Sequence, residues 1–251
     1  MRRIRLVIEY DGTNYAGWQR QANALAVQQV IEEALTKLTQ KPVVLNGASR
    51  TDAGVHALAQ SAHFDTESPI PSDKFSYALN TMLPPDIRIR FSEETAADFH
   101  ARFSAKGKRY RYLFWDAPHA SALHRFTHAH SIYRLDTDLM QTEADRLLGR
   151  HDFRAFSASG SCVKDTVRSI GRADVDRHGD EVGIIIEGDG FLYNMVRIIA
   201  GTLANIGSGK LRPGVIRKAL ETGDRLDLGV TAPAKGLTLM EVFYESPKPD
   251  P

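Results

Sequence analysis

Residues 3–10 read Arg3-Ile4-Arg5-Leu6-Val7-Ile8-Glu9-Tyr10, with Ile4, Leu6, Ile8 and Tyr10 on every second position. Strict alternation puts these four on one face of an extended chain, so the stretch predicts a half-buried strand. Asp11-Gly12-Thr13-Asn14 follows as a turn. Val27, Val30, Ile31, Ala34, Leu35 and Leu38 then recur at helical spacing, which predicts an amphipathic helix over about 25–40. Val43–Leu45 and Ala59–Asp65 read as strands joined by the loop Gly47–Ala57. A helix opening at Pro71-Ser72 runs through Leu83 and is closed by Pro84-Pro85, and Ile87–Phe91 is a further strand. The first hundred or so residues therefore run β-α-β-β-α-β.

Working outward, Lys108–Trp115 alternates as a strand and 116–134 is irregular. A helix over about 137–149 precedes strands near 165–175 and 181–188. Helices follow at 191–205 and 213–222, the second with Pro213 in its first turn, and Leu239–Glu245 is the last strand. Both halves mix helices with short strands in similar order, as two α+β units sharing or abutting a sheet would. The division falls near 100–106, giving an N-terminal domain of 1–102 and a C-terminal domain of 103–251.

Composition bounds the function classes. Of 251 residues 42% are hydrophobic and 25% charged, which suits a packed core and argues against disorder. The longest apolar runs, Gly183–Ile186 and Ile198–Leu203, fall far short of the ~18 residues of a membrane span. Met1-Arg2-Arg3 mimics the start of a signal peptide, but Glu9 and Asp11 interrupt the apolar stretch. The single cysteine, Cys162, forms no intramolecular disulfide and no cysteine zinc cage, and reads as a small loop residue. A cytoplasmic setting is the expectation.

Lys and Arg number 32 and Asp and Glu 31, so bulk charge selects no partner. The distribution says more. Arg102, Lys106, Lys108, Arg109 and Arg111 form a run without an acid, and Tyr110, Tyr112, Phe114 and Trp115 interleave with its end. Cations that meet phosphates beside rings that stack on bases suit a nucleic acid. An edge strand with a solvated basic face is the alternative.

The loop Gly47-Ala48-Ser49-Arg50-Thr51-Asp52-Ala53-Gly54-Val55-His56-Ala57 surrounds a carboxylate and a guanidinium with small residues, so backbone can approach a bulky ligand. Alone, it also reads as a turn whose aspartate accepts local amides. Around it stand Tyr10-Asp11-Gly12-Thr13-Asn14-Tyr15-Ala16-Gly17-Trp18-Gln19, Phe99–Lys106, Lys108–Tyr112, His151-Asp152-Phe153, Thr166-Val167-Arg168, Phe191-Leu192-Tyr193-Asn194-Met195-Val196-Arg197 and Lys235-Gly236-Leu237. In that order and spacing the set resembles the TruA-type tRNA pseudouridine synthases, from about residue 4 to residue 244, with Arg-Thr-Asp-Ala-Gly-Val-His-Ala its most specific part.

That resemblance implies conversion of uridine to pseudouridine at positions 38–40 of the tRNA anticodon stem-loop. It also implies two RRM-like α/β halves forming a shared, largely antiparallel mixed sheet flanked by helices, a homodimer, and no metal or organic cofactor. Asp52 takes the place of the essential aspartate. Breaking the N1–C1′ bond builds charge at the anomeric carbon, and a carboxylate can add there, stabilise it, or take a neighbouring proton. Asp52 is therefore nucleophile or base. Arg50, two residues earlier on an extended loop, points to the same side and matches an arginine on the target nucleotide. Tyr110 matches the tyrosine that stacks on the uracil, and alternation puts Tyr110 and Tyr112 opposite Arg109 and Arg111.

Arg197 lies in an apolar helix between Met195-Val196 and Ile198-Ile199, where an unpaired charge is costly. A carboxylate partner is expected, and the resemblance supplies Asp52; snorkelling from the helix edge is the alternative. Extruding the target base costs a few kcal/mol, so basic residues must hold the RNA. Arg102, Lys106, Lys108, Arg168 and Lys235 are the candidates. A catalytically silent RNA-binding or chaperone protein on the same fold, and a hydrolytic N-glycosidase, are the rival readings.

Some signals are set aside. His119, His124, His128 and His130 lack a neighbouring acid in ligand spacing and read as solvated loop histidines. Gly207-Ser208-Gly209-Lys210-Leu211 lacks the first glycine and the Ser/Thr of a phosphate loop. His56 reads as a packing residue.

Overall fold

The computed structural model describes residues 1–158, 160, 163 and 165–245; Cys162 lies outside them. The chain divides into two compact units, Met1–Lys106 together with the segment from Thr238 on, and Gly107–Leu237. The last strand thus joins the first unit, which a single cut near residue 102 does not produce.

In the first unit β1 (Arg2–Tyr10) buries Ile4, Leu6, Ile8 and Tyr10, as its alternation predicts. It pairs antiparallel with β3 (His56–Thr66), setting Ile4 opposite Phe64 and Leu6 opposite Ala62. On its other side lies β4 (Ile87–Thr95), with Ile8 opposite Ile89. β10 (Leu237–Phe243) runs parallel to β3. Helix α1 (Val27–Thr39) buries Val27, Ile31, Ala34 and Leu35 of the stripe read from its periodicity, with Val30 and Leu38 half-buried.

Two expectations here are corrected. Val43–Leu45 is not a strand; β2 is only Asn46–Gly47, paired with β3. The backbone of buried Leu45 is satisfied by α1 side chains instead, its N–H donating to Glu32 Oε1 at 3.0 Å and its carbonyl accepting from Gln28 Nε2 at 2.8 Å. The helix expected from 71 to 83 is a 3-10 turn, Ser72–Lys74, followed by the short α2 (Phe75–Asn80). Asn80 ends it by turning to the edge of β4, where its side chain both donates to and accepts from the backbone of Ile89 at 2.9 Å.

In the second unit β5 (Gly107–Asp116), β9 (Glu181–Gly188), β8 (Val167–His178) and β7 (Gly149–Asp152) follow one another in antiparallel pairings. A short β6 (Ala129–Ser131), inside the stretch read as irregular, runs parallel to β5. Helix α3 (Thr137–Ala144) stops before 149 because a 3-10 turn, Asp145–Leu147, and Gly149 at φ +95° lead the chain into β7. Helix α4 (Met195–Gly207) is apolar, and α5 (Val215–Thr222) starts after a left-handed Gly214, leaving Pro213 outside its first turn. Each unit is an α+β assembly of helices with a mixed, largely antiparallel sheet. Among the described residues no helix is long and apolar enough to cross a membrane.

Candidate active site

The Asp52 loop joins β2 to β3, and its shape is set by close backbone approaches. A Cβ on Gly17, at φ +92°, would stand 2.5 Å from the Thr51 carbonyl oxygen, so only glycine lets residues 15–18 lie against the loop. The Trp18 N–H donates to the Thr51 carbonyl at 3.1 Å, and the Gly54 N–H donates to the Tyr15 carbonyl at 3.3 Å. From below, the Tyr10 hydroxyl meets Thr51 Oγ1 at 2.7 Å, and the Gln60 side chain clasps Ser49 through both its N–H and its carbonyl. Ser49 and Thr51 are buried, Arg50 is exposed and Asp52 is half-buried. Burial alternates along this stretch, Arg50 and Asp52 being less covered than Ser49 and Thr51. His56 is buried behind the loop, its Nδ1 within 3.1 Å of both the Gly12 N–H and Asp11 Oδ1.

In the second unit β5 turns Tyr110, Tyr112 and Phe114 inward, and its opposite face carries Arg109 and Arg111. Those arginines are paired, Arg109 with Glu187 at 2.8 Å and Arg111 with Glu181 at 2.9 Å, so much of the charge on that face is locally balanced. The Tyr110 ring meets Phe191 edge to face at a centroid distance of 5.1 Å. Tyr112 donates to the Pro233 carbonyl at 2.7 Å; burial pushes its hydroxyl well above the usual tyrosine range, against an opposing pull from Arg197.

Arg197 sits on the first turn of α4 between buried Val196 and Ile198 and is itself half-buried. Its Nε donates to the Ala232 carbonyl at 2.8 Å, and its Nη1 donates to Asn194 Oδ1 at 2.8 Å. The guanidinium is thus held by polar partners of its own unit rather than left to snorkel. Segment 230–236 receives both Arg197 and Tyr112, and Lys235 in the same stretch donates to the Arg125 carbonyl at 3.0 Å. Tyr110, Tyr112, Arg197 and Lys235 are accordingly grouped on connected elements.

The other basic candidates are dispersed. Arg102 is exposed with its guanidinium 5.6 Å from the Phe103 ring centroid, Lys106 is exposed, and Lys108 is half-buried at the start of β5. Arg168 folds back on its own turn, donating to the Asp165 carbonyl at 3.1 Å. Sequence reasoning missed the Asn194 and Ala232 contacts. The signal for Asn194 was a cap-type residue opening an apolar helix, which by itself suggests helix capping and not an arginine contact.

The histidine stretch is not uniformly solvated. His128 is buried, with Nε2 2.8 Å from Glu181 Oε2, and burial pulls its pKa below the ordinary value despite that carboxylate. His124 stacks on Trp115 at 5.0 Å. Among the described residues no three His, Cys, Asp or Glu side chains form a group able to hold a metal. Gly207-Ser208-Gly209 ends α4 instead of opening a helix, with the amides of Lys210 and Leu211 returned to the Asn205 carbonyl.

The tRNA pseudouridine synthase family model matches residues 6–104 and 144–245. The chain is 54% identical to "tRNA pseudouridine synthase A" of Acetivibrio thermocellus over 97% of its own length and all of the relative's. Equally named proteins of Ruminiclostridium cellulolyticum and Geotalea uraniireducens are 54% and 48% identical at the same coverage of both chains. One chain from the crystal structure of a Cbf5-Nop10-Gar1 complex overlays 94% of this chain and is covered over 57% of its own. At 10% identity and a TM-score of 0.36, that likeness is too slight to carry the fold.

Proposed function

The chain belongs to the tRNA pseudouridine synthase family and is an isomerase converting uridine to pseudouridine in tRNA; from that premise we propose that Asp52 carries the reaction on uridines 38–40 of the anticodon stem-loop. The observation that carries the assignment is the loop itself. Ser49 and Thr51 are clasped inward while Arg50 is exposed and Asp52 half-buried, on a backbone fixed from several sides. A carboxylate held this way needs no reorganisation to meet a ribose.

The substrate and product are isomers, so no water or redox partner is consumed. The N1–C1′ bond breaks, uracil turns, C5 joins C1′, and the proton lost from C5 is balanced by one gained at N1. Asp52 acts at the sugar as nucleophile or base. Tyr110 stacks on the extruded uracil, Arg50 contacts the target nucleotide, and Arg197 keeps the Asp52 carboxylate ionised. Arg102, Lys106 and Lys108 meet phosphates, while Arg168 and Lys235 add charge from positions tied to backbone carbonyls. The reading includes a homodimer, whose paired surfaces would concentrate these cations on the RNA, and a cytoplasmic location.

The test is incubation of the full chain with unmodified tRNA, followed by mapping of pseudouridine by position. Product at 38–40 is expected. Pseudouridine confined to other positions overturns the stem-loop assignment, and abasic sites in place of pseudouridine overturn the isomerase mechanism.

A further inference from the structure

We propose that Asn194 is a positioning residue for Arg197, so that the cap of α4 sets the orientation of the site arginine. The inference rests on the reading in which Arg197 serves the catalytic carboxylate.

An asparagine before a helix ordinarily sits in the extended region and lends its side-chain oxygen to an amide of the first turn. Asp136 does this at α3, with φ −76° and its carboxylate accepting from the Leu139 N–H at 3.0 Å. Asn194 does not. Its backbone is left-handed at φ +60°, ψ 6°, and its side chain makes no capping hydrogen bond. Among the described residues the other non-glycine at positive φ is Gln40, past the C-terminus of α1, where a left-handed residue is a common way to end a helix. At an N-terminus the same conformation has no such routine use, and it carries a steric cost that asparagine bears more readily than other side chains.

What accompanies that cost is the hydrogen bond from Arg197 Nη1 to Asn194 Oδ1 at 2.8 Å, made while the Asn194 carbonyl still accepts the helical N–H of Ile198 at 2.9 Å. The second anchor is reciprocal. Arg197 Nε donates to the Ala232 carbonyl at 2.8 Å, and the Ala232 N–H returns to the Arg197 carbonyl at 3.0 Å. This segment reaches α4 because Gly201 has no side chain; a Cβ there would lie 1.9 Å from the Val230 carbonyl oxygen. Acceptors on two different nitrogens fix both the position and the plane of a guanidinium. Losing the Asn194 acceptor leaves the charge in place and removes one of the groups that set its plane.

Three substitutions separate the side-chain role from the backbone role. Asn194→Gly keeps the left-handed backbone and loses the acceptor, Asn194→Asp keeps the acceptor, and Asn194→Ala loses the acceptor and is strained. Steady-state kinetics on unmodified tRNA and thermal unfolding are measured for each full-length variant. A positioning role predicts kcat about tenfold lower for Gly and Ala, KM within about twofold, and Asp within about threefold of the unsubstituted chain, with Tm lowered modestly for Gly and further for Ala. An unchanged kcat in Asn194→Gly overturns the proposal, as does a loss in Asn194→Asp equal to that in Asn194→Gly. Arg197→Ala is the control. If it leaves kcat unchanged, the assigned role of Arg197 fails; if it lowers kcat while Asn194→Gly does not, only the positioning inference fails.

Discussion

The Asp52 loop and the Arg197 helix hold their functional side chains by different means. Around Asp52 the loop is held at residues beside it: Gly17 against Thr51, the Trp18 and Gly54 amides on loop and neighbour carbonyls, the Gln60 clasp on the Ser49 backbone, and the Tyr10 hydroxyl on Thr51 Oγ1. Around Arg197 they run through the functional side chain itself, from its Nε and Nη1 to Ala232 and Asn194. A residue mounted on an independently fixed backbone can be exchanged without disturbing its support. A residue that is part of its own support cannot. Function and stability should therefore separate at Asp52 and travel together at Arg197.

The sharpest way to break that contrast is Asp52→Asn. With the loop held at its other residues, turnover should fall by at least ~10³-fold while tRNA affinity stays within a few-fold and Tm falls less than in Arg197→Ala. Single-turnover assay, filter binding and calorimetry on one preparation check this. Normal turnover removes Asp52 from the mechanism, and a large drop in Tm removes the contrast.

Next in size is a matched pair. Arg197→Ala leaves the Ala232 carbonyl and Asn194 Oδ1 without their donor in a half-buried place, which costs about 1–3 kcal/mol of stability as well as activity. Gly17→Ala puts a methyl group against the Thr51 carbonyl at a strained φ and should cost about 2 kcal/mol or more, with activity lost although no functional side chain is touched. Denaturant titration beside turnover measures both. A stable but inactive Arg197→Ala would show that its hydrogen bonds contribute nothing to the fold.

What was legible in the sequence follows from how each feature is encoded. β1 and α1 bury one face against a core, so periods of two and of three to four residues are written into Ile4-Leu6-Ile8 and Ile31-Ala34-Leu35. Residues 43–45 carry the same apolar signature, yet the Leu45 backbone bonds to Glu32 and Gln28 and the Val43 N–H to Thr36 Oγ1, an alternative no local pattern records. β7 escaped because Gly149-Arg150-His151-Asp152 is polar and lies at the edge of its sheet, with no buried face to print a period. The Asp52 loop was legible as a motif, but its rigidity depends on Gly17 and Gln60 meeting it in space. His128 was misread since Glu181 stands 53 residues away.

The smallest predicted effect uses the buried histidines to compare the units without any substitution at the site. In the first unit His63 is buried, its Nδ1 accepts from the Ala101 N–H at 3.1 Å, and burial, helped by His100 and Arg3, lowers its pKa from 6.5 to about 4. In the second unit burial likewise lowers His128, but the Glu181 carboxylate opposes the shift. A histidine depressed in the folded state takes up its proton more readily when the chain unfolds, so its contribution is complete above about pH 6.5 and shrinks as pH falls toward 4. Within that window each unit of pH should remove up to ~1.4 kcal/mol through His63, with a weaker slope from His128. His63→Gln supplies an uncharged acceptor for the Ala101 amide and should flatten the stability profile between pH 6.5 and 4, whereas His128→Gln should change it less. Calorimetry across that range decides: equal flattening by the two variants would mean that the carboxylate beside His128 does not offset its burial.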